Sequence, residues 1–429
     1  MSTVKLSKKP VGPVKPVHGV GQPPFSGLDF SMIKYLRDAG IPFSRLHDVG
    51  GWFGGNMFVD IPNLFRDFKA DPEDPASYDF TFTDMLITAL MENGVEPFFR
   101  LGVTIENFSD IKAYRIYPPA DFEKWAAVCE KVIAHYTEGW ADGFRYDIRF
   151  WEIWNEPDND PDPVLNHMWL GTKEQFYELY DITAKRLKAR FPHLMIGGYS
   201  SCGFYDLKKS FIAEANSSPR FEYFIEFFDG FIDYIKAHGS PLDFFSWHSY
   251  DGPENVSYYA RWVRRRLDEA GFEKTLSVCN EWNRSSKLKG SPKHAALTAA
   301  MITAFDREPV DSAMFYDAGY GVSRFRSLFD ASTAQPLPAY WVFVAFNELY
   351  KMKNRLEIEA LPEGLYADAA SDGGTAALLI SNPTDAAVDL DIPGEIVSCR
   401  AIDGNKKLEE IRFCGNIPAD TVMLIKLIV

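Results

Sequence analysis

Two glutamates, Glu156 in Trp154-Asn155-Glu156-Pro157 and Glu281 in Asn280-Glu281-Trp282, lie 125 residues apart in a chain of 429. Each ends an apolar run. Two carboxyls brought face to face can open an acetal: one, protonated, assists departure of the leaving oxygen, and the other, ionised, attacks the anomeric carbon. In that assignment Glu156 is the general acid/base and Glu281 the nucleophile.

Their neighbours suit these roles. Asn155 can hydrogen-bond a sugar 2-hydroxyl, a contact that strengthens as the oxocarbenium-like transition state forms, although an asparagine here equally suits an Asx turn. Arg45 and Tyr250 fit an ionised nucleophile, since a guanidinium and a phenol hydroxyl both stabilise the charged form. Glu156 must instead hold a proton at rest, so its surroundings are expected to be the less cationic. Pro157 ends strand pairing just past Glu156, and Trp282 is expected to form an aromatic wall beside Glu281.

A rival chemistry would use His18, His47 and His248 as metal ligands. The chain has no His-x-His and no His-Glu-x-x-His, so these histidines are read as hydrogen-bonding or packed residues, with no metal and no cofactor expected. There is likewise no Gly-x-Ser-x-Gly elbow and no phosphate-binding Gly-x-x-x-x-Gly-Lys-Ser/Thr loop.

The elements that must position these groups are eight short β-branched or aromatic runs: Val14 to Gly19, Ile41 to His47, Val95 to Gly102, Ile148 to Trp154, Leu194 to Tyr199, Asp243 to Tyr250, Thr275 to Asn280 and Val310 to Tyr316. Amphipathic stretches alternate with them, such as Phe82, Met85, Leu86, Ala89 and Leu90 at helical spacing. Eight strands with a helix after each predict a closed (β/α)8 TIM barrel, an α/β fold. At roughly 40 residues per unit, 125 residues is three units, which puts Glu156 and Glu281 at the ends of strands 4 and 7. Arg45, His47, Asn155, His248, Tyr250 and Tyr316 fall at the same mouth. Long inserts at 48–78, 103–118 and 157–171 are expected to shape the pocket there.

Past Ala339 to Met352, alternating strands broken by Asp372-Gly373-Gly374, Asn382-Pro383 and Asp403-Gly404-Asn405 predict a small β-sandwich. The expected division is a catalytic barrel over 1–352 and a C-terminal sandwich over 353–429, with the Lys- and Pro-rich first 16 residues locally extended.

A net charge of −15 argues against nucleic acid or an anionic membrane as partner, because either would be repelled. Aromatics at 15% suit stacking on pyranose rings, though most aromatics in any chain are core. The N-terminus carries no apolar run that reads as a signal segment, so a cytoplasmic protein is expected. Five scattered cysteines with no CxxC pair are read as reduced thiols.

The segments 41-IPFSRLHDVGG-51, 95-VEPFFRLG-102, 151-WEIWNEPD-158, 193-HLMIGG-198, 243-DFFSWHSY-250, 276-LSVCNEWN-283 and 336-PLPAYWVFVAFNELY-350 together resemble clan A glycoside hydrolases, and more closely glycoside hydrolase family 39, known for β-xylosidases and α-L-iduronidases. The resemblance covers most of the barrel. It implies that Glu156 is the acid/base, that Glu281 is the nucleophile, and that His18, His47, Asn155, His248 and Tyr250 line the glycone subsite; it also implies the C-terminal sandwich. The chain departs from the family's usual pattern at Asp158, where Asn follows Asn-Glu-Pro, at Asn280, where Thr precedes the nucleophile, and at Trp247, where a polar residue is frequent.

The expectation is therefore a retaining, exo-acting glycosidase on short oligosaccharides or glycosides, with β-xylosides foremost and arabinosides, galactosides, glucosides or uronides as alternatives. A carbohydrate-binding protein without turnover is the reading from another class, and the presence of both carboxyls with their supporting residues argues against it.

Overall fold

The computed structural model describes residues 2–49, 59–105, 116–212, 215, 217–284 and 286–428. Parts of the inserts at 48–78 and 103–118 lie outside the described residues, whereas 157–171 lies within them.

Eight parallel strands close into a barrel: β1 (Gly19–Gly21), β2 (Phe43–Leu46), β3 (Glu96–Leu101), β4 (Phe150–Ile153), β5 (Met195–Ser201), β6 (Phe244–Ser249), β7 (Leu276–Trp282) and β8 (Ser312–Phe315). Closure is made by β8 on β1, with Met314 opposite Gly19 and Phe315 opposite Val20. The helices that follow the strands are α1 (Lys34–Asp38), α2 (Thr81–Glu92), α3 (Phe122–Thr137), α4 (Lys173–Arg190), α5 (Pro219–His238), α6 (Pro253–Ala270), α7 (Pro292–Arg307) and α8 (Pro338–Met352).

The period-2 alternation of each strand sorts the interior into layers. Phe43, Phe98, Phe150, Phe244, Val278 and Met314 form an apolar floor, with Phe98 5.2 Å from Phe150 and 5.1 Å from Phe244 between ring centroids. β5 contributes Gly197 at this level, where a Cβ would lie 2.1 Å from the Phe244 carbonyl oxygen and 2.7 Å from its ring; the missing side chain is the room Phe244 fills. Two residues further along β2, β4 and β6, and likewise along β7, come Arg45, Glu152, Ser246 and Asn280, all buried. The outward residues, among them Trp151, Phe245 and Cys279, belong to the large core between strands and helices.

The C-terminal strands are β9 (Asn354–Glu359), β10 (Tyr366–Ser371), β11 (Thr375–Asn382), β12 (Val388–Asp391), β13 (Ile396–Ile402), β14 (Lys407–Glu410), β15 (Asn416–Ile417) and β16 (Thr421–Ile428). With two N-terminal strands, Ser2–Thr3 and Lys5–Pro13, they form a three-stranded sheet that includes the former and a seven-stranded sheet that includes the latter. Ala377 and Leu379 of β11 face the barrel helices, while Ala376, Leu378 and Ile380 face the core between the two sheets. Ser381 Oγ donates to the Ala296 carbonyl of α7 at 2.7 Å, and Glu348 of α8 pairs with Arg400 and, at 2.7 Å, with Lys426.

Two expectations change at the N-terminus. Lys5–Pro13 is a strand of the larger sheet, antiparallel to β9 with Asn354 opposite Pro13 and Glu359 opposite Lys5, although the sequence groups it with the barrel. The first barrel strand begins at Gly19 and does not run from Val14. Val14 and Val17 pack into the core as the chain crosses beneath the barrel, so His18 lies at the floor end of β1. Among the described residues no helix is long and apolar enough to cross a membrane.

Candidate active site

Glu156 leaves the regular path of β4 before it reaches the pocket. Trp154 and Glu156 take positive φ values of 70° and 44°, a conformation that costs of order 1–3 kcal/mol and persists where surroundings hold it. The Glu156 amide donates to the Ser200 carbonyl at 3.0 Å. Asn159 Nδ2 donates to Glu156 Oε2 at 3.0 Å. Asn166 Nδ2 ties the following loop by donating to Pro157 O at 3.0 Å and Asp160 O at 3.1 Å. Asp158 turns back into the protein, accepting from Ser201 Oγ at 2.7 Å and from the Cys202 amide at 3.1 Å. Burial pushes its carboxyl up to about 7 despite those bonds.

Glu281 depends on a bulge. The register of β7 against β6 shifts so that Trp247 faces Cys279 but His248 faces Glu281. Adjacent strand residues ordinarily point to opposite faces; the extra residue lets Asn280 and Glu281 both look inward. Asn280 Nδ2 donates to Glu152 Oε1 and, at 3.2 Å, to Ser200 Oγ. Glu281 Oε1 accepts from the Tyr250 hydroxyl, and Oε2 accepts from Arg45 Nη1 at 3.2 Å. Arg45 also donates through Nε to Glu152 Oε2 at 2.8 Å and through Nη2 to Asn155 Oδ1 at 2.5 Å and Ser200 Oγ at 2.9 Å. One guanidinium thus holds both the nucleophile candidate and the asparagine beside the acid candidate.

His248 stands between the two carboxyls. Its Nδ1 is 2.8 Å from Glu156 Oε1, and its Nε2 is 3.8 Å from Glu281 Oε2. Ligand atoms of Glu156, His248 and Glu281 lie within 4.8 Å of one another. They could approach a single ion, but Nδ1 and Oε1 of the first two are engaged with each other. Burial alone would raise both carboxyls. At Glu156 the hydrogen bond and charge of His248 outweigh burial, with help from Arg220 and Asn159, and hold it below the usual carboxylate range. At Glu281 burial and the Glu156 carboxylate outweigh His248, Arg45 and Tyr250, leaving it above that range. The expectation of a less cationic environment at Glu156 is therefore reversed in the free protein, and His248 is the cause.

The structure brings Glu156, Glu281, Arg45, Asn155, His248 and Tyr250 together. Tyr316 and His47 meet one step away through Asp48: the Tyr316 hydroxyl donates to Asp48 Oδ2 at 2.9 Å, and His47 Nε2 is 3.2 Å from Asp48 Oδ1. Gln22 Nε2 donates to Tyr316 at 2.8 Å. Burial, then the nearby Glu281 charge, push Asp48 up to about 6.

Two residues expected at the site are elsewhere. His18 donates through Nε2 to Gly40 O at 3.1 Å and packs on Phe346 and Tyr350 of α8; burial takes its pKa down to about 3, so it is neutral. Trp282 points outward from β7 onto Phe305 of α7 and Phe315 of β8, at 5.3 and 5.1 Å, because the bulge puts Glu281 on the inner face and its successor on the outer one. The sequence reading missed Glu152, Asn280, Ser200, Asp48 and Gln22. Strand parity from Phe150 and Val278 would have found Glu152 and Asn280; a bond between distant strands leaves no local pattern.

Paired carboxyls at the ends of strands 4 and 7 of a (β/α)8 barrel, one with an arginine and a tyrosine upon it, define the class of barrel glycoside hydrolases. The chain belongs to glycosyl hydrolases family 39, whose profile matches residues 40–356. It is 23% identical over 346 residues to a β-xylosidase of Geobacillus stearothermophilus, covering 69% of this chain and 61% of that protein. It is also 23% identical over 331 residues to a β-xylosidase of Caldicellulosiruptor saccharolyticus, covering 74% and 57%. The matches thus span about three fifths of these curated relatives. Among solved structures, a glucosidase from Croceicoccus marinus aligns with TM-score 0.79 at 24% identity over 100% of this chain and 99% of that one. A monomeric β-xylosidase from Caulobacter crescentus aligns with TM-score 0.69 at 17% identity, over 100% and 99%. These structural likenesses establish the fold.

Proposed function

We propose that this protein is a retaining glycoside hydrolase that acts at chain ends of short oligosaccharides or glycosides by double displacement. Glu281 is the nucleophile and Glu156 the general acid/base. The observation that carries this reading is the approach of the two carboxyls to within 4.8 Å, oxygen to oxygen. Retention calls for a separation of roughly 5 to 5.5 Å between carboxyls, against roughly 6.5 to 9.5 Å for inversion with an interposed water.

In the first step Glu281 attacks the anomeric carbon while the leaving oxygen takes a proton from Glu156, giving a covalent glycosyl-enzyme. In the second, Glu156 removes a proton from water as water displaces Glu281. Arg45 and Tyr250 hold Glu281 ionised and aimed. Asn155, oriented by Arg45, presents its amide to the sugar 2-hydroxyl. The wall of Asp48, Tyr316 and His47 faces the glycone beyond the nucleophile.

The test is chemical rescue. Glu281→Gly abolishes turnover and regains it with azide, yielding a glycosyl azide of inverted configuration; Glu156→Ala is rescued by azide on activated aryl glycosides with retention. Failure of both would sink the assignment. For the glycone we propose β-xylose first, supported by the activity named for both curated relatives. The glucosidase likeness makes glucosides the next candidate, and a panel of nitrophenyl glycosides separates them.

A further inference from the structure

The arrangement of His248 raises a question of proton location, which rests on the glycosidase reading above. Its ring is fully buried, with Nδ1 hydrogen-bonded to Glu156 and Nε2 turned toward Glu281. Charged groups reach it from three strands: Glu156 and Asp158 from the end of β4, Glu281 from β7 and Arg45 from β2. Nε2 has no hydrogen-bond partner among the described residues and faces Glu281 Oε2 at 3.8 Å, so a proton there is attracted to the ionised nucleophile and a bare lone pair is repelled. With Nε2 protonated, two states remain. In one, His248 is an imidazolium donating from Nδ1 to ionised Glu156; in the other, Glu156 is protonated and donates to Nδ1. They contain the same number of protons and differ by the transfer of one across a 2.8 Å bond.

We propose that in the free enzyme the acid proton rests on Nδ1 of His248 and crosses to Glu156 as the glycoside binds, so that the His248–Glu156 pair is the proton donor. Two ionised carboxylates flanking a buried imidazole favour the imidazolium at rest. The directions agree: His248 is raised, Glu281 and Glu156 outweighing its burial, and Glu156 is lowered. This reconciles a low proton affinity at Glu156 with its role as an acid, because the proton is one hydrogen bond away.

The cycle balances. In glycosylation the proton passes from His248 Nδ1 to Glu156 and on to the leaving oxygen, the bond from the anomeric carbon to that oxygen breaks, and the bond to Glu281 forms. Glu156 is then ionised, His248 neutral and Glu281 an uncharged ester. In hydrolysis the water oxygen bonds to the anomeric carbon, a water proton goes to Glu156 and returns to His248, and the bond to Glu281 breaks with its electron pair and restores the carboxylate.

Two measurements test this. Nitrogen-15 NMR of histidine-labelled protein should show His248 with both nitrogens protonated in the free enzyme near neutral pH. It should become a neutral ring once Glu281 is trapped by a 2-deoxy-2-fluoro glycoside. His248→Asn keeps a donor near the Nδ1 position but stores no proton. The alkaline limb of its kcat/KM profile should move to lower pH, with a loss above about tenfold for poor leaving groups and little for dinitrophenyl glycosides. A hydrogen bond that merely positions Glu156 would leave that limb in place. A neutral ring in a free enzyme that turns over, or an unmoved alkaline limb, overturns the inference alone. A wild type that neither turns over nor is labelled overturns the glycosidase reading and this inference with it.

Discussion

Arg45 of β2 spans two carboxylates from different strands, donating to Glu152 of β4 at 2.8 Å and to Glu281 of β7 at 3.2 Å. A guanidinium supplies several donors in one fixed plane, and a lysine ammonium supplies a point charge that can serve one partner well. Arg45→Lys should therefore keep the buried charge yet release Glu281 or Asn155 from its alignment. The expected loss is about 10²-fold in kcat with a smaller change in KM. A variant with wild-type kcat would show that the bridge does not align the nucleophile.

The second donor to Glu281 is the Tyr250 hydroxyl. Burial, then the Glu156 charge, already raise the Glu281 pKa, so if Glu281 is the nucleophile proposed above, activity should be lost as pH falls through a value above the ordinary carboxylate range. Tyr250→Phe removes a hydrogen bond made to the charged form, a contact of about 1.5–3 kcal/mol. The acid limb of kcat/KM should rise further, by roughly one unit or more. An acid limb at the wild-type position would place that hydroxyl outside the nucleophile's stabilisation.

Much of this geometry was legible in the sequence because it depends on period and spacing. Phe43 and Arg45, Phe150 and Glu152, and Phe244, Ser246 and His248 each repeat every second residue, and that pattern is enough to fix strand, face and level. The spacing of Glu156 and Glu281 depends on the βα unit length, which is nearly constant. What was not legible depends on departures from period. The β7 bulge turned Glu281 inward beside Asn280 and sent Trp282 outward, and a strand that begins at Gly19 moved His18 to the opposite end of β1. Lys5–Pro13 pairs with a strand some 350 residues away, a partnership that no local window contains.

Trp282 gives a direct check on that reversal. It is fully buried against Phe305 and Phe315, so Trp282→Phe leaves space between β7 and α7 and none in the pocket. Stability should drop by about 2 kcal/mol in denaturant titration while KM stays within twofold, roughly. A raised KM at unchanged stability would return the indole to the substrate side.

Asp158 occupies a position where the family usually has asparagine, and burial lifts its carboxyl to about 7. A group whose folded pKa exceeds its unfolded value binds more protons when folded. Its stabilising share is therefore complete below about pH 4 and is lost as pH rises towards 7. Asp158→Asn removes the titration while retaining an acceptor for Ser201 or the Cys202 amide. Its melting temperature should exceed that of the wild type at pH 8, by an amount corresponding to at most about 4 kcal/mol, and the gain should vanish near pH 4. A constant difference at all pH values would assign the effect to packing.

Lys5–Pro13 shields the edge of β9, with Leu356 opposite Pro10 and Ile358 opposite Leu6, and Val4 just before it is buried in the core between the sheets. An exposed edge with free amides and carbonyls invites pairing with another chain, and the loss of Val4 opens the apolar core at the same margin. A protein that begins at Val14 should therefore melt lower than the full chain and associate at concentrations where the full chain does not, as read by calorimetry and light scattering. Its turnover per folded molecule should persist, because β1 starts at Gly19 and the groups around Glu156 and Glu281 all lie beyond it. Unchanged melting and unchanged scattering in the shortened protein would mean that the N-terminal strand contributes nothing to the sheet; lost turnover with intact folding would mean that it reaches the site.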